Sequence, residues 1–99
     1  MTKVRIVFFG RNPAIMALMK HQIASLGHEV EAFLEEREMV ACLREGAVAL
    51  LILGPGIETE PRMNCRALCR ELGVRLLEHQ GGPDDLVRGI HAALVPKQA

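Results

Sequence analysis

Hydrophobic and polar positions along the chain alternate four times between two kinds of spacing. Short apolar runs, as in residues 3–10 and 47–53, are typical of buried strands. The segments that follow them place apolar side chains three and four positions apart, which predicts helices. Strands separated by single helices pair in parallel through right-handed crossovers. The pattern therefore predicts an α/β fold built from four βα units.

The first predicted helix carries clear boundary signals. Asn12 is a good N-cap, Pro13 fits the first helical position, and Gly27 fits the position just after the last turn. Its side chains at helical spacing, expected to face the core, are Ile15, Leu18, Met19, Gln22, Ile23 and Leu26. The later helices should end at Gly46, Gly73 and Pro96. Their expected inward residues are Met39, Val40 and Leu43, then Cys65, Leu68, Cys69 and Leu72, then Leu86, Val87, Ile90 and Leu94.

The apolar content of the strands predicts their order in the sheet. The first and third strands are the most continuously apolar, as expected for strands covered on both faces. The second alternates Glu29 and Glu31 with apolar residues up to Leu34, and the fourth, "VRLLEH", also carries charges, as edge strands do. The strand order 2-1-3-4 places strands one and three in the centre of the sheet and strands two and four at its edges. We predict one flavodoxin-like domain over residues 1–99, a three-layer, doubly wound (βα)₄ fold.

The composition excludes several classes of partner. Three Phe, no Trp and no Tyr leave an aliphatic core and almost no aromatic surface on which bases could stack. Twelve basic and twelve acidic residues cancel, so the chain lacks the positive surface of a nucleic-acid binder. The longest apolar run, Ala47 to Leu53, is too short to span a bilayer. We expect neither nucleic acid nor membrane as a partner.

The three cysteines predict a reducing compartment rather than a metal site. An odd count without a secretion signal indicates reduced thiols, so we expect a cytoplasmic protein. Cys65 and Cys69 lie one helical turn apart, but on the face that also carries Leu68 and Leu72. Buried thiols behave as small hydrophobes, and two ligands make no zinc site. Cys42 is interpreted in the same way, and we expect no metal and no cofactor.

Candidate chemistry collects where the parallel strands end. Ligands of doubly wound sheets bind beyond the carboxyl ends of the strands, at the switch point between the first and third strands. "GRNP" follows strand one, "GPGIE" follows strand three and "EHQGGP" follows strand four. Two of these glycine-bearing loops lead toward helix N-termini, whose free N–H groups bind anions. The candidate ligand-binding residues are Gly10, Arg11, Asn12, Gly54, Gly56, Glu58 and His79, with Glu78 and Gln80 beside them.

Enzymatic motifs at this edge are incomplete. The first βα turn lacks the second and third glycines of the dinucleotide fingerprint, although Glu35 lies where a ribose-binding acid could. No Walker A sequence is present. His79 is the one plausible acid–base residue, but adjacent strand residues point to opposite faces, so Glu78 is not expected to meet it. His21 and His91 are expected to be solvated. We therefore expect no catalytic residues and no enzyme.

The first three βα units resemble a response-regulator receiver domain of the chemotaxis-regulator type. In receivers, an acid pair after strand one holds Mg²⁺, an Asp after strand three accepts the phosphoryl group, and later strands supply a Ser or Thr and a Lys. Here Phe9, Gly10 and Arg11 occupy the first position, and Leu53 and Gly54 the second. No Lys ends strand four and no fifth βα unit follows. The resemblance thus implies the receiver fold without the residues of its chemistry.

The segment "LILGPGIE" also resembles the "LLGPQI"-like segment after strand three in the IIB domains of phosphotransferase systems of the lactose and cellobiose type. Those domains have a similar length and four parallel strands. Their chemistry uses a phosphocysteine at the end of strand one, where this chain has Phe8, Phe9, Gly10 and Arg11. This second resemblance likewise implies a fold without its nucleophile.

Two functional hypotheses follow. The first is a non-catalytic pseudo-receiver, a signalling or protein-binding module that works through protein contacts. The alternative is a site for a small anion or phospho-ligand at the switch point, where Arg11 would neutralise the charge and turn amides near Asn12 and residues 54–56 would cradle it.

The predicted edge strand four also favours self-association. It carries Arg75 before Leu76 and Leu77, no further βα unit covers it, and the zero formal net charge does not oppose contact between copies. We predict a two-fold homodimer through strand four and the flanking helices 59–72 and 83–95. A biological contact of this kind should bury about 1,200 Å² or more in total.

Overall fold

The computed structural model describes residues 4–79 and 83–94. The strands and helices alternate along the chain, and their order and bounds are β1 Arg5–Phe9, α1 Pro13–Ser25, β2 Glu29–Phe33, α2 Glu36–Glu45, β3 Leu50–Leu53, α3 Thr59–Leu72, β4 Arg75–Glu78 and α4 Pro83–Leu94. The four strands form one all-parallel sheet in the order β2-β1-β3-β4. The predicted doubly wound α/β fold and its strand order are confirmed.

Two hydrophobic clusters lie on opposite faces of this sheet. On one face, Val7 and Phe9 of β1 belong to a cluster with buried residues of α2 and α3. On the other face, Ile6 and Phe8 belong to a cluster with buried residues of α1 and α4. All four residues of β3 are buried. The central strands are therefore covered by helices on both faces, which explains their continuous apolar sequence.

The predicted helix ends are confirmed in detail at α1. The Asn12 Oδ1 atom accepts hydrogen bonds from the N–H groups of Ala14 and Ile15, at 3.0 and 3.1 Å. Gly27 follows the last turn with φ of +91°. Gly73 caps α3 in the left-handed region. The expected stop at Pro96 lies outside the described residues.

The predicted inward face of α1 is wrong in part. Ile15 and Leu18 are 40% and 49% exposed, whereas Met16, Met19 and Ile23 form the buried stripe. Both sets have helical spacing because nearly every position in the first two turns is apolar, so periodicity alone could not choose between them. The alternation of strand two also predicts an inward Leu34. That residue is 40% exposed because β2 ends at Phe33.

Within the described residues, no helix is long and apolar enough to cross a membrane. Cys42, Cys65 and Cys69 are all buried and unbridged, as their interpretation as core residues requires. Burial raises the pKa of the Cys65 thiol to about 12 and that of Cys69 to about 11. These thiols therefore stay protonated and unreactive at neutral pH.

Candidate functional site

The carboxyl ends of β1 and β3 lie side by side at the centre of the sheet. The pairing continues one residue beyond the strands, because the Gly54 N–H donates to the Phe9 carbonyl at 2.9 Å. The Gly10 N–H likewise donates to the Phe33 carbonyl at 3.2 Å. The loops that carry the predicted site residues are thus held together by backbone bonds, and they leave the sheet at its topological switch point.

Gly10 and Gly54 make room for the ring of Phe8. A Cβ atom on Gly54 would lie 3.2 Å from Phe8 Cε1 and 3.7 Å from the Gly10 Cα. A Cβ atom on Gly10 would lie 3.2 Å from the same ring and 3.3 Å from Met16. The space beside both glycines is therefore filled by an apolar side chain from the core. Close packing, rather than ligand approach, explains why both positions are glycine.

Arg11 joins the segments that follow β1, β2 and β3 at this edge. Its Nε and Nη2 atoms donate to Oε1 of Glu58, each at 3.1 Å, and its Nη1 atom donates to the Leu34 carbonyl at 2.8 Å. The guanidinium also lies 5.1 Å from the centre of the Phe9 ring. The pKa of Glu58 is lowered by its own backbone N–H and by the hydrogen bond from Arg11. The positive charge predicted for anion binding is already paired with a carboxylate.

The amides at the start of α1 are partly occupied as well. Asn12 accepts hydrogen bonds from two of the free N–H groups that a bound anion would use. Beside Arg11 there is an open groove of about 610 Å³ lined by Arg11, Glu35, Glu36, Arg37 and Glu38. Its three carboxylates outnumber its two arginines, so the net charge of the groove does not favour an anion. The structure brings Gly10, Arg11, Gly54 and Glu58 together, with Asn12 as a helix cap and Gly56 in the next turn at φ of +92°.

His79 is not an exposed group of this edge. It is only 5% exposed, and its backbone N–H donates to the Leu53 carbonyl at 2.9 Å. The backbone pairing of β4 with β3 thus continues to His79, and its side chain is buried at the edge of the sheet rather than presented to solvent. A ligand-binding role for His79 stays a prediction. Gln80 lies outside the described residues. Glu78 has other partners, so the predicted absence of a Glu78–His79 pair agrees with the structure.

Glu78 is held by two arginines from α3. Arg66 donates through Nε and Nη2 to the two carboxylate oxygens at 2.9 and 2.8 Å, and Arg62 donates through Nη1 at 2.9 Å. Arg62 also donates to the Ile57 carbonyl at 3.2 Å, which links the triad to the turn after β3. These bonds, from Arg66 first and Arg62 second, lower the pKa of Glu78 to about 2. The triad is a structural tie between α3 and the end of β4.

A second cluster lies at the opposite end of the sheet. The Cys42 thiol donates to Glu31 at 2.9 Å, and Arg5 Nη2 donates to the same Glu31 oxygen at 3.0 Å. Burial and then the hydrogen bond to Glu31 raise the pKa of Cys42 to about 11. This thiol is a hydrogen-bond donor and not a nucleophile. Among the described residues no group of three or more His, Cys, Asp or Glu side chains is placed to hold a metal ion.

Sequence reasoning missed both clusters. The signal for the triad was present, because Arg62 and Arg66 are four residues apart and therefore share one face of α3. The carboxylate that completes it is twelve residues beyond Arg66 and reaches it only through the pairing of β4 with β3. Spacing within one element cannot reveal a partner in another.

No family model and no curated protein matches the sequence of this chain. Its fold, however, is similar to that of solved receiver domains. The chemotaxis protein CheY4 of Vibrio cholerae superposes with a TM-score of 0.66 at 14% identity, covering 94% of this chain and 100% of that one. A response regulator protein from Burkholderia multivorans gives a TM-score of 0.64 at 16% identity, covering 99% and 100%.

The lactose-specific IIB component domain of the Streptococcus pneumoniae phosphotransferase system is similar too, with a TM-score of 0.64 at 13% identity over 95% of this chain and 100% of that domain. The chain thus has the flavodoxin-like α/β fold of CheY-type response regulators, with a likeness to lactose-type IIB domains as well. Identities this low establish the fold and nothing about activity.

Proposed function

We propose that the chain is a non-catalytic pseudo-receiver, a receiver-like signalling module that acts through protein contacts and takes no phosphoryl group. The observation that carries the proposal is the Arg11–Glu58 clasp. It lies across the ends of β1 and β3, where a receiver would need free carboxylates around a divalent cation. The Arg11 guanidinium places a positive charge where a receiver has the carboxylates that bind a metal cation.

The close packing of Gly10 and Gly54, at the same ends of β1 and β3, supports the same proposal. The Phe8 ring lies against both Gly10 and Gly54, so neither position can take a larger side chain without repacking. The Glu58 carboxylate, which lies at the end of β3, is paired with Arg11. Phosphoryl transfer depends almost entirely on charge stabilisation and positioning. Neither is offered by an arginine that is paired with a carboxylate and lies over the Phe9 ring.

Beryllofluoride with Mg²⁺, which mimics a phosphoryl group on a carboxylate, tests this proposal. We expect the amide signals of residues 9–12 and 53–58 to stay unshifted in a titration followed by NMR at micromolar to millimolar concentrations. Mg²⁺ alone serves as the control for cation binding. Saturable shifts at Gly10 and Gly54 that need both components would contradict the proposal.

The homodimer through β4 remains part of the proposal. Two features of β4 support this contact. It is an edge strand, and its residues Leu76 and Leu77 are only partly buried. The edge is flanked by charge on both faces, by the Glu78 triad on one and by Arg75, which donates to the Ala93 carbonyl, on the other. Such charges guard an edge in part, so the contact should be modest in affinity.

A further inference from the structure

The amino end of β1 is held by the chain segment that enters β2. Val4 immediately precedes β1, and its carbonyl accepts a hydrogen bond from the Glu29 N–H at 3.0 Å. The Val4 N–H in turn donates to the Nδ1 atom of the His28 ring at 3.3 Å. Both backbone groups of Val4 are therefore bonded to two adjacent residues, one through a backbone amide and the other through an imidazole.

The bond to Nδ1 fixes the protonation state of the His28 ring. A neutral imidazole carries a proton on one nitrogen and accepts a hydrogen bond through the other, whereas an imidazolium carries protons on both and accepts none. Because Nδ1 is the acceptor here, the ring is neutral and its proton is on Nε2. Protonation would turn Nδ1 into a donor that faces the Val4 N–H, so this bond exists only with the neutral ring.

The His28 ring is accessible to protons from solvent. The residue is partly exposed, and it lines an open groove of about 680 Å³ at the amino edge of the sheet. His28 differs in this respect from His79, which is buried. Histidine is the side chain whose charge changes between about pH 5 and 8. The acceptor of the Val4 N–H is therefore one that a mild fall in pH removes.

The charged groups around the His28 ring balance one another. Arg5 of β1, Lys20 of α1, and Glu29 and Glu31 of β2 line the same groove, so two positive charges face two negative ones. Arg5 and Glu31 are paired with each other at 3.0 Å. Among the described residues, the ring thus meets no excess of either sign. The hydrogen bond from Val4 is what distinguishes the neutral ring from the charged one.

We propose that His28 is a pH-sensitive latch on the amino end of β1: the neutral ring holds the Val4 amide, and protonation of the ring releases it. The latch is closed at neutral and higher pH and opens as the pH falls and His28 becomes protonated. Its effect is local, because the bond from the Glu29 N–H to the Val4 carbonyl does not involve the ring. The latch is also independent of the Arg11–Glu58 clasp, which lies at the opposite edge of the sheet.

NMR of the full chain between pH 8 and pH 5 tests the proposal at the Val4 amide. In the unmodified chain the amide signal of Val4 should shift with the same midpoint as the ring signals of His28, since one proton causes both changes. The protection of this amide from hydrogen exchange should fall by about fivefold over the same range, after correction for the intrinsic pH dependence of exchange.

Substitutions of His28 separate the latch from a general effect of acid. Asn places a side-chain oxygen near the position of Nδ1 and accepts at every pH, so His28→Asn should remove the pH dependence at Val4. Leu offers no acceptor, so His28→Leu should show the low protection at every pH. His21→Asn is the matched control, because His21 is an exposed residue of α1 and its loss should leave the titration at Val4 unchanged.

Two results would overturn the proposal. One is a Val4 amide whose signal and protection stay constant while the His28 ring titrates in the unmodified chain. The other is a pH dependence at Val4 that persists in His28→Asn and His28→Leu, since it would assign that dependence to another group. Circular dichroism at pH 8 checks that each variant is folded, and the titration of the unmodified chain decides the first result without any variant.

Discussion

Arg11 uses all three of its guanidinium nitrogens within the protein. Two of them contact Glu58 and the third contacts the Leu34 carbonyl. An incoming anion would have to displace a carboxylate that is held at hydrogen-bond distance, in a region where Glu35 and Glu36 add further negative charge. Arg11, which the sequence predicts to be an anion ligand, therefore serves to connect Glu58 with the Leu34 carbonyl.

Calorimetric titration with phosphate and sulfate checks this description. We expect no saturable heat with the unmodified chain up to millimolar anion. Glu58→Gln removes the competing charge, so it should bind either anion at least several-fold more tightly than the unmodified chain. Saturable heat from the unmodified chain that Arg11→Ala abolishes would instead support the anion site at the switch point.

The Glu78 triad predicts a pH dependence of stability. Because the folded pKa of Glu78 is lowered from 4.5 to about 2, its ionised form stabilises the fold. That contribution is complete above about pH 4.5 and is lost as the pH falls toward 2. Glu78→Gln should therefore lower the free energy of unfolding by about 2 kcal/mol at pH 7, since it leaves the mostly buried Arg62 without a carboxylate partner.

Urea unfolding of both proteins between pH 2 and pH 7 measures this difference. The difference in the free energy of unfolding between the unmodified chain and Glu78→Gln should become smaller as the pH falls from about 4.5 toward 2. The matched control is Glu71→Gln, which removes an ion pair with Arg44 in which both side chains are more than half exposed. That change should cost less than about 1 kcal/mol. Equal effects of the two substitutions would show that the Glu78 triad stabilises the fold no more than an exposed ion pair does.

Between elements, the Phe8 ring packs against Gly10 and Gly54, where β1 and β3 lie side by side at their carboxyl ends. Gly54→Ala would place a methyl group 3.2 Å from that ring. The ring is fully enclosed and has little room to yield, so we expect a loss of about 1–3 kcal/mol in the free energy of unfolding.

A double-variant cycle isolates the contact. Phe8→Leu shortens the side chain and should make Gly54→Ala less costly in that background than in the unmodified chain. Gly56→Ala is a useful comparison, because a Cβ atom at that position would meet no other atom within 4 Å and only the φ of +92° opposes the change. Additive effects of Phe8→Leu and Gly54→Ala would contradict the proposed packing.

For the molecule as a whole, the open edge of β4 makes a prediction about hydrogen exchange. The His79 N–H donates to β3, so by the alternation of a parallel ladder the N–H groups of Leu76 and Glu78 point away from it. If copies pair through β4, these two amides should exchange more slowly as protein concentration rises. Amides of the central strand β1 provide the internal comparison. Exchange at Leu76 and Glu78 that is independent of concentration would exclude this contact.

Local sequence was enough to predict the order of elements, the helix ends at Asn12, Gly27 and Gly73, and the order of the strands. These features depend on local backbone preferences and on whether a strand is covered on both faces, and both leave a mark in neighbouring residues. Local sequence also predicted which loops reach the carboxyl edge, because strand ends fix their place.

What those residues do at the edge was decided by packing in three dimensions. That Arg11 is paired with Glu58, that His79 is buried and that Ile15 and Leu18 are exposed all depend on contacts between segments far apart in the chain. Such contacts follow from the packing of the two helical layers on the sheet, and no periodicity within one segment records them. The physical reason is that a side chain's charge partner and burial are properties of its neighbours in space, whereas a pattern reports only its neighbours in sequence.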